Sequence, residues 1–291
     1  MAATNRVHYF HADASAAGGY FQLPIDRNLP PQAPMSLSPS GGYGFARSEN
    51  FRLDGVLSYK SAYTQVAGHL SNKPNHGWVT LVTSVIEGLN VLDVITADRL
   101  SAQISTEHPL EGNNPKVNFL GTAFENLKVA GCPIDITLDF DICDQGNGSG
   151  YPKQSCLSDE QFRRRVAAQY QDMTDADALP DWVADRGIPD WIKERYKWDA
   201  TKATSNGSIL CSIVKKAECS IVKKAEGQFP GRPFGNVFEV PGFGRVFLGE
   251  LLVDCKSYQL TMVRLEMGCS GEGSASFVTA KANGGTIPPG G

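Results

Sequence analysis

A chain of 291 residues, 41% apolar and 20% charged, has the composition of a folded domain and not of a disordered tract. Its net charge of -4 offers no global attraction to nucleic acid or to an anionic membrane, so neither is an expected partner. No window reaches the roughly 18 uninterrupted apolar residues that a spanning helix needs, so membrane insertion is not expected.

The N-terminus, MAATNRVHYFHADASAAGGY, has an early Arg but no apolar run of the secretory kind, which points to the cytoplasm. A secreted or surface protein whose signal has been removed is the alternative. Residues 1–45, with NLPPQAPMSLSPSGGYG at their heart, are rich in Gly, Ser, Pro and Ala. They read as an extended arm with one short strand near Gly19–Leu23. Inside the arm, His8, His11 and Asp13 are donors a transition metal can use. A strand would send the two imidazoles to opposite sides, so an arm that packs its aromatics is the plainer reading.

From Phe51 the texture changes. NFRLDGVLSYKSAYTQVAGHL alternates apolar and polar residues, and GWVTLVTSVIEGLNVLDVITADRLSAQIS is β-branched throughout. NPKVNFLGTAFENLKVAGCPIDITLDFDIC adds three more strand-like runs, and the same texture returns from Gly235 to Gly285. Short β runs at roughly ten-residue spacing with turn residues between them predict a mainly β fold, an antiparallel β-sandwich (jelly-roll-like). VIEGLNVLDVITADRLSAQIS followed by NFLGTAFENLKVAGCPIDI, with an echo at GRVFLGELLVDC, resembles the repeated β segments of bacterial choice-of-anchor P-type domains. The resemblance covers about residues 77–137. It implies a secreted or surface β module and brings no activity with it.

DFDICDQGNGSG places Asp139, Asp141, Asp144 and Asn147 at the mouth of a Gly-rich loop, hard oxygen ligands suited to calcium. The spacing is not that of an EF-hand, and a charged strand end is the competing reading. Calcium is the one cofactor the sequence suggests; otherwise none is expected.

The chain then turns helical. Ser158 opens a capping box, and Phe162, Val166, Tyr170 and Met173 follow at helical spacing, which predicts a helix over 159–173. LPDWVADRG at 179–187 is repeated in register by IPDWIKERY at 188–196. Each copy predicts a helical turn started by Pro, with Trp and the next aliphatic residue packed inward. Trp182, Trp191 and Trp198 crowd this insertion, placed at 157–200. They are candidates for contact with a ligand or partner, or for the small core that docks the insertion. A second duplication follows, CSIVKKAE at 211–218 and again at 219–226. Helix and strand both remain open for 211–226; a strand is expected for the first copy, with the second extending or bulging from it.

Seven cysteines without a CxxC pair exclude zinc-site spacing. Buried free thiols are expected, or three bridges among six of them if the protein is secreted. Serine-nucleophile and phosphate-loop motifs are missing; PGFGRVFLG reads as a hairpin turn. Glu87, Asp93, Asp98, Glu250, Asp254 and Glu266 lie in or beside apolar strands, where two converging carboxylates can hydrolyse a glycoside. No sequence motif brings any two together. The expected organisation is an arm at 1–45, one β domain at 46–282 holding the insertion, and a tail at 283–291. The expected function is a non-enzymatic binding or structural module, self-assembling in one form, with protein or carbohydrate partners. A carbohydrate-active hydrolase using strand carboxylates and insertion aromatics is the alternative.

Overall fold

The computed structural model describes residues 6–287, apart from 54, 147, 149, 180, 199–206, 220–228, 256 and 269–271. For Trp182, Thr286 and Ile287 only the backbone is described. Among these residues the strands form two nine-stranded antiparallel sheets. Sheet A holds β1 (Val7–Leu23), β2 (Arg27–Gln32), β3 (Met35–Ser36), β12 (Ser208–Ser212), β14 (Arg232–Phe234), β15 (Val237–Val240), β16 (Gly244–Asp254), β17 (Ser257–Met267) and β18 (Glu272–Ile287). Sheet B holds β4 (Gly42–Leu53), β5 (Leu57–Leu70), β6 (Trp78–Val91), β7 (Ile95–His108), β8 (Lys116–Asn118), β9 (Ala123–Glu125), β10 (Lys128–Val129), β11 (Cys132–Leu138) and β13 (Val214–Cys219). The long strands β4 to β7 and β14 to β18 are meanders, each strand pairing with the next. The fold is a β-sandwich with a small helical insertion.

Alternation fixes which face is buried. Along β6, Thr80, Val82, Ser84 and Ile86 point inward; Val82 and Ile86 join Leu100, Ile104 and Phe277 in the core between the sheets. Each such side chain, fully buried, contributes about 1.5–3 kcal/mol. Opposite β6 lies β1, whose inward positions are Phe10, Ala12, Ala14 and Ala16. Two buried hydroxyls stitch the sheets together: Ser84 donates to the Ser15 carbonyl at 2.9 Å and Thr64 to the Ala33 carbonyl at 2.6 Å.

The arm expected at 1–45 is instead structural. β1 sits inside sheet A between β18 and β2, and β4 begins at Gly42. The expected tail is also taken up to residue 287, because β18 pairs with β1 as far as Val7↔Ile287. The period of two is present in β1, but its inward residues are mostly alanines, whose apolar signal is faint.

The helical excursion falls where expected. α1 (Glu160–Thr174) buries Phe162, Val166 and Met173, and Asp159 caps it by accepting from the Phe162 amide at 2.8 Å. The paired PDW motifs give two short helices, α2 (Asp181–Ala184) and α3 (Asp190–Arg195), with Val183 and Ile192 fully buried. They dock on the outer face of sheet A through a second small core.

The first CSIVKKAE copy is strand, divided between the two sheets. Cys211 and Ser212 end β12 beside β16, Ile213 crosses over, and Val214–Cys219 pairs with β11 in sheet B. The rest of the second copy lies outside the described residues. Its first residue, Cys219, forms a disulfide with Cys132 across β13 and β11, with Cα atoms 6.0 Å apart. Free thiols were expected there. Cys143, Cys156 and Cys211 are buried thiols, as expected, and Cys255 is an exposed one.

Candidate functional site

Across four neighbouring strands of sheet A runs a rung of alternating charge. Arg232 faces Glu239, Glu239 faces Arg245, and Arg245 faces Glu266. Opposite charges directly across strands contribute roughly 0.2–1 kcal/mol a pair. The next rung on this outer face is Phe234, Val237, Phe247 and Arg264. The insertion covers its apolar members with Leu179, Val183, Ile192 and Met173.

Arg264 is the charged member of that second rung. Its guanidinium lies 3.8 Å over the Phe247 ring and joins two carboxylates. It donates to Glu266 at 2.6 Å and to Glu250 through both Nε and Nη2, the latter at 3.0 Å. Arg195, from α3, donates to the same Glu250 at 2.9 Å. The Glu250 side chain is only 7% exposed, so these two guanidinium groups take the place of the water it lacks. Burial tends to push the Glu266 carboxyl up, but the hydrogen bond and charge of Arg264, with Arg195 and Arg245, outweigh it and hold the group below its ordinary value.

Glu250 reaches this face through a local break in the strand. Gly249 has φ 59°, a left-handed step that leaves Leu248 and Leu251 both in the core and turns Glu250 outward. A Cβ at Gly249 would also stand 2.8 Å from the Val214 side chain, so glycine is required twice over.

At its outer end the charged rung opens into a cavity of about 670 Å³, lined by Arg186, Arg232, Arg245, Glu239 and Glu266 among others. Arg232 is fixed by Glu239, its Nε 2.6 Å away, and by the Gly187 carbonyl at 3.1 Å, which ties it to the α2–α3 turn. Arg245 lies 3.8 Å over the Trp191 ring, which also meets Phe234 and Phe247 edge-on. Arg186 makes no ion pair among the described residues.

The duplicated motif therefore supplies the site twice. Arg186 and Arg195 occupy equivalent places in the two copies, one in the cavity and the other in the buried network. Trp191 belongs to the docking core and braces Arg245. Trp198 packs edge-on to Tyr170, at 6.0 Å, and does not line the arginine cavity; nothing is described of the Trp182 side chain. The arginines are what sequence reasoning missed. Their signal was the Arg match between the copies and the opposite charges on successive short strands, visible only once strand register is known.

Of the six carboxylates considered for hydrolysis, Glu250 and Glu266 come together, with Arg264 between them. Glu87 accepts from Ser61 at 2.6 Å and Asp98 from Asn126 at 2.7 Å, both in sheet B. Asp93 pairs with Asn90 in a turn, and Asp254 accepts from the Ser257 amide at 2.9 Å. In the loop considered for calcium, Asp139 accepts from the Asp141 amide and Asp144 from the Gly146 amide; Asn147 lies outside the described residues. The carbonyls of Asp141, Ile142 and Asp144 converge at 2.6–2.9 Å on one nitrogen of Arg165. His11 pairs with Asp13 at the surface, whereas His8 is buried, stacked on Trp78 and 4.7 Å from the His108 ring. Among the described residues no three His, Cys, Asp or Glu side chains are grouped to hold a metal ion.

A family model described as Domain of unknown function (DUF8256) matches residues 8–254, from β1 to the end of β16. The chain belongs to this family. Neither the curated proteins nor the solved structures compared contain a match. The DUF8256 match includes both PDW copies, Arg232, Arg245 and Glu250, while Arg264 and Glu266 on β17 lie beyond it.

Proposed function

We propose that this chain is a non-enzymatic binding module whose ligand presents an oxyanion, a carboxylate or a phosphate, to the arginine-lined cavity beside α3. One observation carries the reading: the carboxylates beside Trp191 are each held by arginine, and Glu266 is kept ionised. Glycoside hydrolysis needs one carboxyl with a raised pKa, free to give up a proton. This arrangement holds charge in place. Three arginines line the cavity against two glutamates, and among the described residues Arg186 pairs with neither of them.

A secreted or surface placement goes with this reading. The Cys132–Cys219 bridge supports an oxidising compartment, and the resemblance to choice-of-anchor P-type domains points the same way.

Calorimetric titration with a short oligogalacturonate and with inorganic phosphate tests the reading and separates carboxylate from phosphate. Binding by one of them, weakened about tenfold in Arg186→Gln and by added salt, is the expected result. Binding of neither anion, or equal binding by the variant, would sink it. Turnover of a glycoside panel that disappears in Glu266→Gln would put the hydrolase in its place.

Self-assembly is a second reading, supported by β4. Among the described residues this strand ends sheet B, leaving its outer backbone edge without a neighbouring strand, and one of its faces presents Tyr43, Phe45, Arg47 and Glu49 to solvent. Antiparallel pairing with a second copy about Ala46 would set Phe45 against Arg47 and Tyr43 against Glu49, both favourable.

A further inference from the structure

We infer that Cys143 and Cys156, separate thiols in this structure, close on oxidation into a second disulfide that staples the loop between β11 and α1. The loop already brings them together. Arg165 clamps the first side, donating to the carbonyls of Asp141, Ile142 and Asp144 on both flanks of Cys143. Gln145 donates to the Gln154 carbonyl at 2.9 Å, tying together the residues two places inside each cysteine. Cys156 opens the short helical turn before α1 and is held there by Ser158 bonding back to Ser155 and by Gln154 donating to the α1 cap, Asp159. Both cysteines are buried in the same core, and the Cys143 thiol is near enough to act, with burial, to raise the Cys156 thiol.

The other described cysteines are worse partners. Cys211 is locked in the β12–β16 ladder, with its thiol directed at the Leu251 carbonyl at 3.5 Å. Cys255 is exposed and meets Cys156 only across a cavity of about 30 Å³. Cys132 and Cys219 are already joined.

The reaction is thiol–disulfide exchange with a small disulfide such as oxidised glutathione. One cysteine thiolate attacks a donor sulfur, releasing one donor thiol and leaving a mixed disulfide. The other thiolate then attacks the cysteine sulfur of that mixed disulfide and releases the second donor thiol. Two protein thiols are oxidised, one donor disulfide is reduced to two thiols, and each attacking thiol gives its proton to a departing thiolate. Contact with Cys143 and burial both push the Cys156 thiol well up, which makes exchange in the closed loop slow and favours bond formation during folding.

The test is refolding of the whole chain in a glutathione redox buffer, alkylation under denaturing conditions, tryptic digestion and mass spectrometry. Lys153 lies between the two cysteines, so trypsin places them in separate peptides. A peptide carrying Cys156 linked to the one carrying Cys143, and lost in Cys143→Ser but kept in Cys211→Ser, is the expected result. Alkylated Cys143 and Cys156 beside an intact Cys132–Cys219 bridge would overturn the assignment. So would a link from Cys156 to Cys211 or Cys255, or full alkylation of every cysteine.

Discussion

Glu250 is the residue on which the charged network depends, because two arginines face it and water barely reaches it. Glu250→Gln keeps the shape and removes the charge, leaving Arg195 and Arg264 short of a partner; a loss of about 3–5 kcal/mol in urea unfolding is expected. Two pH windows follow from individual groups. Burial lowers His8 and His108 from 6.5 to about 4, and in His108 the facing His8 adds to the effect. In the unfolded chain both imidazoles take up protons below about 6.5, so their contribution to stability is intact above that pH and is lost as pH falls toward 4. A melting temperature that drops between pH 7 and pH 4.5, and drops less in His108→Gln, is the outcome that checks this. Glu266 acts in a lower window. Its lowered pKa contributes stability above its ordinary value of 4.5, which is lost as pH falls further through the folded value.

At the scale of elements, the eight-residue duplication has a direct chemical effect. Deleting either copy leaves the same sequence, with one cysteine where there were two. That cysteine can end β12 or close the bridge to β11, but not both. A single-copy chain is expected to keep both sheets and to expose Cys132 to alkylation, and to lose about 2–5 kcal/mol of stability with the long loop that the bridge closes. Circular dichroism and thiol counting read the two effects separately. The elements themselves were legible to different degrees. The β-branched runs of β5, β6 and β7 and the spaced apolar residues of α1 announce their period and their face. β1 does not, since alanine and glycine obey the alternation without marking it. The charged site was illegible for another reason. Its members come from four strands and a helix, and no local pattern states that Arg232, Glu239, Arg245 and Glu266 stand in one line.

For the whole molecule, the free edge of β4 decides between a solitary sandwich and a paired one. Light scattering is expected to give a concentration-dependent dimer, and Phe45→Lys, which sets Lys against Arg47 of the second copy, is expected to return it to monomer without lowering its melting temperature. A monomer at every concentration would leave the cavity beside α3 as the surviving binding surface. The pairing of β1 with β18 bears on a different property. Val7 lies opposite Ile287, so a pull applied through the two ends of the sandwich acts across the strands and not along them. The ladder then parts one hydrogen bond at a time, as a zip does, where strands pulled from opposite ends would have to break the row together. The protein is built to give way early and gradually under tension, whatever its stability at rest.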